Sequence, residues 1–438
     1  MAAFALTEAD LLRVSRDLAY GELAAMPGTK TRLSPRISAD ASAAPLSWTA
    51  DVLDLDSLAR MQLATAAATW CNAYDAGFED LFLAKRTAAD WAVVMRRARE
   101  AGAQQLTFAT SGSMGARKLL RHREDILADE ARAWATVLGP VKRVVVLCPT
   151  HHIYGFIWGV LVPMALGVPA VDADLTSLPA LQSGDLLVAV PDQWAWLAAS
   201  QRTWPVGVQG VSSTAPLAAQ AHDALTLAGS AANALADDHN TALALSPGTG
   251  QNAAPLARLL QIYGSTETAG LAYRTLSTGP YMLAPGRTRN AQDGISLQLP
   301  SGAVQALAVQ DALQWTSDTT FNLLRRTDES VQVGGHNVSP AWVLAQLQTH
   351  GAVKEAVVRL DGATTPKLKA FVVLHSANNH CAEQPSASSA DPHAQQRCAL
   401  EQWVLDTLPW YANFSSITYG TALPRNGMGK PTDWPTSH

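Results

Sequence analysis

Three apolar runs constrain the fold of this chain more than any other feature: RVVVLCP (143–149), DLLVAVP (185–191) and LLQIYG (259–264). Each is built mostly from Val, Leu and Ile, without the polar alternation of a strand wet on one face, and each ends at Pro or Gly. A strand that is apolar on both faces has to be covered on both, which is the situation of a parallel sheet between helical layers. An α/β domain is therefore expected from about Leu106 onward. The 438 residues leave room for roughly two to three domains.

The flanking regions read differently. Residues 6–24 have helical periodicity with Thr7 as N-cap, and DLDSLARMQLATAAATWCNAY and TAADWAVVMRRAREAG read as further helices. Beyond Arg326, SVQVGGHNV reads as a hairpin, AWVLAQLQTH as a helix, VKEAVVRL and KLKAFVVLH as strands, and ALEQWVLDTLP as a helix. Residues 376–396 are polar and Ser/Ala-rich and read as a surface insertion.

Composition narrows the function classes. A net charge of −5 and no long basic block argue against a nucleic-acid partner. The four cysteines, Cys71, Cys148, Cys381 and Cys398, have neither disulfide nor metal-ligand spacing, which fits a reducing, cytoplasmic setting. The amino terminus turns charged too early for a signal peptide. The most apolar stretch, IYGFIWGVLVPMALGVPAV, is interrupted by Gly155, Gly159, Pro163 and Gly167 and reads as a buried helix, with no membrane span expected.

One loop carries chemistry on its face. LTFATSGSMGARK (106–118) is an apolar run that stops in hydroxyl residues, two glycines and a lysine. Glycines let successive amides point into one concavity, Ser111 and Ser113 add donors, and Lys118 adds charge. That combination suits an anion with several oxygens.

In this order along the chain, further strings accumulate, and together they resemble the adenylate-forming acyl and aryl acid ligases. Thr110, Ser111, Gly112, Ser113, Gly115 and Lys118 match the family's phosphate loop, with Met114 and Arg117 in place of its usual threonine and proline. PTHHIYGF (149–156) is similar to the segment that lines the acyl pocket, with His152 and Tyr154 in the family positions. GVSSTAPL (210–217) resembles the turn bordering adenine and acyl group, where Ser213 and Thr214 replace two glycines ahead of Ala215. Tyr263, Gly264, Ser265, Thr266 and Glu267 match the Y-G-S-T-E string without substitution. The resemblance implies that Tyr263 stacks on adenine, Thr266 donates to the α-phosphate and Glu267 holds Mg²⁺. It further implies that Asp318 binds ribose, Arg326 and Asp328 form the hinge of the small domain, and Gly334 and Gly335 line a pantetheine tunnel. LPWYANF and LPRNGMGK resemble the C-terminal signatures, the second ending in Lys430, which would neutralise charge during adenylation.

The implied activity is ATP- and Mg²⁺-dependent conversion of a carboxylic acid to an acyl-adenylate, then transfer to a thiol. The short architecture is similar to ligases of aryl polyene and xanthomonadin-type pigment pathways, which implies an aromatic acid such as 4-hydroxybenzoate and an acyl carrier protein as acceptor. An acyl- or aryl-CoA ligase, or a catalytically weakened AMP-binding scaffold, are the alternatives. The expected architecture is an α/β adenylating core truncated at its N-terminus (105–326), a mobile α+β C-terminal subdomain (327–438), and a helical, carrier-protein-like domain (1–104). In that last segment DLDSLARMQL resembles the carrier signature, which makes Ser57 an attachment site; the competing reading is that Asp56 and Ser57 cap the helix that follows.

Overall fold

The computed structural model describes residues 4–26, 55–110, 118–200, 204–226, 253–299, 301–326, 331–333, 336–361, 367–375, 393–424 and 433–434. These divide into two compact units. One runs to Thr110 and from Leu119 to Leu324; the other runs from Arg325 onward and includes Lys118. The expectation had placed this boundary at 326/327.

The first unit opens with helices α1 (Glu8–Ala25), α2 (Ser57–Trp70), α3 (Glu79–Ala84) and α4 (Ala88–Glu100). Thr7 caps α1 through a reciprocal pair: its hydroxyl accepts from the Asp10 amide at 3.2 Å, and the Asp10 carboxylate accepts from the Thr7 amide at 3.0 Å. Thr87 caps α4 by accepting from the Asp90 amide at 3.0 Å. Each cap satisfies helix-end N–H groups that have no partner within the helix.

A hairpin of β1 (Gln105–Ala109) and β2 (Leu119–Arg123) follows, then α5 (Glu124–Val137). The main sheet takes its strands from β3 (Arg143–Val146), β4 (Ala170–Asp172), β5 (Asp185–Ala189), β7 (Gln209–Ser212), β9 (Arg258–Ser265), β10 (Ala269–Arg274), β11 (Tyr281–Leu283), β15 (Asp311–Trp315) and β16 (Thr320–Arg326). Between them, β6 (Trp204–Pro205) pairs with β8 (Ala253–Ala254), and β12 (Arg287–Arg289), β13 (Ile295–Gln298) and β14 (Val304–Leu307) form a small sheet of their own. Among the described residues the main sheet has the order β15-β16-β11-β10-β9-β7-β5-β3-β4. Strands β4, β3, β5, β7 and β9 are mutually parallel, while β10 and β11 continue antiparallel. The three apolar runs are thus central parallel strands, as their patterning requires, and β5 is buried at every residue. The apolar stretch from Ile153 is a buried helix over 153–166, with a π-helical turn at Ile157–Leu161.

The amino-terminal helices do not form a domain of their own, which corrects the expected division at 104. Leu11, Leu18, Leu63, Ala67, Trp91 and Met95 share one continuous core with Phe108, Trp134, Val146 and Phe156. Trp70 of α2 lies 6.1 Å from Phe108 and 5.5 Å from Phe156, edge to face. Arg13 of α1 makes a two-toothed bond to Asp172 (2.8 and 2.6 Å) and donates to the Gly159 carbonyl at 2.9 Å. The helices carry apolar faces because the α/β body covers them. Of the two residues expected to cap α2, Asp56 does so, accepting from the Ala59 amide at 2.7 Å, and Ser57 is the exposed first residue of the helix.

In the second unit, β17 (Val331–Val333) and β18 (His336–Val338) form the expected hairpin. A second sheet is ordered β19 (Val353–Leu360), β20 (Leu368–Leu374), β21 (Phe414–Tyr419), with β20 and β21 parallel. Helices Pro340–Thr349 and Ala394–Thr407 contribute Val343, Leu347, Leu400 and Val404 to a core shared with Leu368 and Val372.

Candidate active site

Parallel strands end on one edge, and in open α/β sheets that carboxyl edge is where ligands gather. His152 follows β3, Ser213, Thr214 and Ala215 follow β7, and Tyr263 to Glu267 close β9 and turn into β10. Three separate sequence strings are brought to one edge by strand order alone.

The turn after β9 is tightly made. The Ser265 amide donates to the Thr268 hydroxyl at 3.2 Å, and Ala269 adopts φ 56°. Gly264 lies so close to the returning strand that a Cβ there would sit 2.1 Å from the Ala269 carbonyl oxygen. Thr266 and Glu267 sit at the tip, half-buried, and neither side chain bonds another described residue. The Tyr263 hydroxyl donates to Asp311 at 2.7 Å, and its ring packs beside Tyr281 (5.7 Å) and Phe321 (5.8 Å).

The neighbouring turn after β7 is tied to this one, because the Ser213 hydroxyl donates to the Ile262 carbonyl at 3.2 Å. Thr214 has φ 80°, a left-handed conformation that a β-branched residue rarely adopts. The family's glycine position is therefore still shaped for glycine. Beneath both turns, the buried Tyr154 hydroxyl lies 3.1 Å from the Ala189 carbonyl and 2.9 Å from that of Val211, bracing the ends of β5 and β7. Burial raises its pKa well above the ordinary phenol value, so Tyr154 is a neutral structural donor. Gly155 next to it is required: a Cβ would meet the Pro149 carbonyl oxygen at 2.0 Å. His152 is exposed, its ring centroid 4.0 Å from that of His151.

Thr110 and Lys118 stand at the open end of the β1–β2 hairpin, where Ala109 pairs with Leu119. Ser111, Gly112, Ser113 and Gly115 lie outside the described residues, as do Asp328, Gly334, Gly335 and Lys430. The hairpin is fixed to the β9 turn by a residue that no motif announced. His122 Nε2 lies 2.7 Å from the Thr266 carbonyl, 144 positions away, so that nitrogen carries the proton. Burial lowers the pKa of His122, opposed by the bond to Thr266 and by Glu130 and Glu267. Behind the turn, Glu130 accepts from the Gly270 amide (2.8 Å), Trp134 Nε1 (3.1 Å) and Arg287 (2.6 Å), with Glu130 and Arg287 side chains each only 3% exposed. Neither His122 nor the Glu130–Arg287 pair is visible as spacing, since each partner lies on a distant strand or helix.

Asp318 stands in the turn between β15 and β16. Its side chain is 99% exposed, 3.7 Å from Arg289, on an open cleft of about 460 Å³ lined also by Leu283, Arg287, Asn290 and Thr319. Arg326 ends β16, and only its backbone is described.

Among the described residues no three His, Cys, Asp or Glu side chains converge on a metal position. Glu267 offers a single carboxylate with no bonded partner among the described residues. That donor set fits a magnesium ion shared with nucleotide phosphates and water, and does not fit an ion caged by protein alone. No helix among the described residues is long and apolar enough to cross a membrane.

No family model matches the chain. A 4-coumarate–CoA ligase of Halorhodospira halophila is 33% identical over 425 residues, covering 96% of this chain and 98% of its own length. A 4-coumarate–CoA ligase of Cereibacter sphaeroides is 33% identical over 394 residues, 88% of this chain and 84% of its own. Among solved structures, o-succinylbenzoate CoA synthetase of Bacillus subtilis superposes with TM-score 0.51 at 17% identity, covering 74% of this chain and 67% of that one. A malonyl-CoA ligase gives 0.50 at 19% identity, covering 73% and 71%. These two show a shared fold.

Proposed function

This chain belongs to the adenylate-forming acid–thiol ligases, the family of the curated 4-coumarate–CoA ligases, and on that premise we propose that it activates an aromatic carboxylic acid with ATP and passes the acyl group to coenzyme A. The observation that carries the reading is the β9–β10 turn: among the described residues Thr266 and Glu267 have no side-chain partner at the carboxyl edge of the sheet, and the turn is tied through His122 to the β1–β2 hairpin. Aromatic acid and CoA are proposed because both are in the names of relatives aligned along almost the whole chain.

In the first step a carboxylate oxygen of the acid attacks the α-phosphorus of ATP. The bond to the β-phosphate oxygen breaks and pyrophosphate leaves. Little covalent chemistry falls to the protein, so positioning and charge neutralisation dominate. Lys118 and the loop from Thr110, with Ser111, Gly112, Ser113 and Gly115, hold the β- and γ-phosphates. Thr266 donates to the α-phosphate, while Tyr263, Gly264, Ser265 and the Ser213–Thr214–Ala215 turn border the adenosine. Asp318 serves the ribose. Glu267 would hold Mg²⁺, which supplies charge neutralisation across the phosphates when bound. His152 faces the acid, and Lys430 meets the charge that develops between carboxylate and phosphate. In the second step the thiolate attacks the acyl carbon, the carbonyl-to-phosphate bond breaks, and AMP leaves. Gly334 and Gly335 give the pantetheine arm its approach, with Arg326 and Asp328 as the hinge. The working site is cytoplasmic.

Pyrophosphate exchange into ATP, run with a panel of aryl and alkyl acids, tests the first step. Thioester formation with CoA and with a phosphopantetheinylated carrier protein, side by side, tests the second. Exchange driven by aryl acids and a CoA thioester are the expected results. Preference for the carrier would replace the acceptor assigned here with an acyl carrier protein, and exchange with no acid would reduce the protein to a nucleotide-binding scaffold.

A further inference from the structure

The turn that carries His152 is held by the amino-terminal helices, from outside the α/β sheet. Asp17 of α1 is buried, and its Oδ2 accepts from both the amide and the hydroxyl of Thr150, each at 2.6 Å. Thr150 itself is fully buried. One residue on, the His151 carbonyl accepts from Trp70 Nε1 of α2 at 3.1 Å. The same α1 presents Gly21 to the His151 ring, so closely that a Cβ would stand 2.9 Å from two ring atoms. The His151 ring in turn lies against that of His152. Thr150, His151 and His152 are thus each fixed, directly or through one neighbour, by α1 and α2. A charged acceptor makes shorter and stronger bonds than a neutral one, and a buried donor left without it is costly.

We infer that Asp17 is a positioning residue for the acid-binding end of the site: by bonding Thr150 it fixes the turn from which His152 projects. This rests on the reading of His152 as an acid-side residue. It assigns α1 a task in the reaction, at a position where the sequence suggested only a helical appendage.

The test compares Asp17→Ala, Asp17→Asn and Thr150→Val in the full chain, measuring KM for acid and for ATP separately by pyrophosphate exchange. Asp17→Ala is expected to raise the acid KM about ten-fold or more, the effect of losing hydrogen bonds to a charged group, and to leave the ATP KM essentially unchanged. Asp17→Asn keeps a carbonyl acceptor and should recover most of the loss, and Thr150→Val should move the acid KM in the same direction by less. Hydrogen exchange at the Thr150 amide gives a readout independent of turnover: protected in the parent and the Asn variant, faster in the Ala variant. Equal rises in both KM values, an unchanged acid KM, or unchanged Thr150 protection would each overturn the proposal. If Asp17→Ala does not fold, Asp17→Asn and Thr150→Val decide on the same criteria. A parent protein inactive toward every acid overturns the functional reading and this proposal with it; in a failure confined to Asp17 the parent is active.

Discussion

Thr214 and His122 show how far single residues were readable. The strings at 213–215 and 263–267 are contiguous, so their likeness to a motif survives in one dimension, and the fold delivers both to the same sheet edge. Thr214 at φ 80° carries a conformational cost that sequence alone suggests only as a missing glycine. Thr214→Gly should raise stability by about 1 kcal/mol, strain of about 1–3 kcal/mol relieved against about 0.4–1 kcal/mol for the freer unfolded chain. Urea midpoints of the two proteins check it. His122 was illegible because its partner lies 144 positions away. Burial lowers its pKa from the ordinary 6.5, so the unfolded chain binds the proton more readily. Its share of stability is therefore complete above pH 6.5 and is lost as pH falls from there toward the lowered folded-state value. His122→Gln retains an N–H donor and does not titrate, so its stability should fall less steeply than the parent's across that acid window, as followed by thermal unfolding at stepped pH.

Elements were more legible than their partners. The cap at Thr7 and the apolar runs of β3, β5 and β9 announced themselves, because capping and two-sided burial leave local signatures. What covers an amphipathic helix leaves none, so α1 to α4 read as a carrier-like domain when they are a layer of the α/β body. The α2 start separates the two readings of Ser57. Asp56→Ala removes the bond to the Ala59 amide and should cost about 0.5–2 kcal/mol, whereas Ser57→Ala should stay within about 0.5 kcal/mol of the parent. Incubation with a promiscuous phosphopantetheinyl transferase should leave the intact mass unchanged. A stoichiometric mass increase would restore the carrier assignment.

At the scale of the molecule, the chain is two compact units, and the residues proposed for catalysis come from both. Lys430 belongs to the second unit and Thr266 to the first. If Lys430 serves only the adenylation step, Lys430→Ala should slow pyrophosphate exchange by roughly a hundred-fold or more, while thioester formation from a supplied acyl-adenylate is largely spared. Single-turnover assays of the two half-reactions check this, and equal losses would remove Lys430 from its assigned step. The boundary near Arg326 was legible as a change of pattern close to the observed division, whereas the union of the first helices with the α/β body was not, because it rests on which elements share a core.

The two glycines pressed against carbonyl oxygens, Gly155 and Gly264, have a consequence for how this scaffold can change over generations. A variant library saturating both positions should return almost only the parental residue, because a Cβ would stand 2.0 or 2.1 Å from backbone that has no rotamer to yield. Gly351, with open space around its α-carbon, should return many residues in the same selection. New acid preferences therefore have to arise around these fixed crossings, at neighbours such as 213–215, and a lineage adapting to a new substrate would carry Gly155 and Gly264 through unchanged.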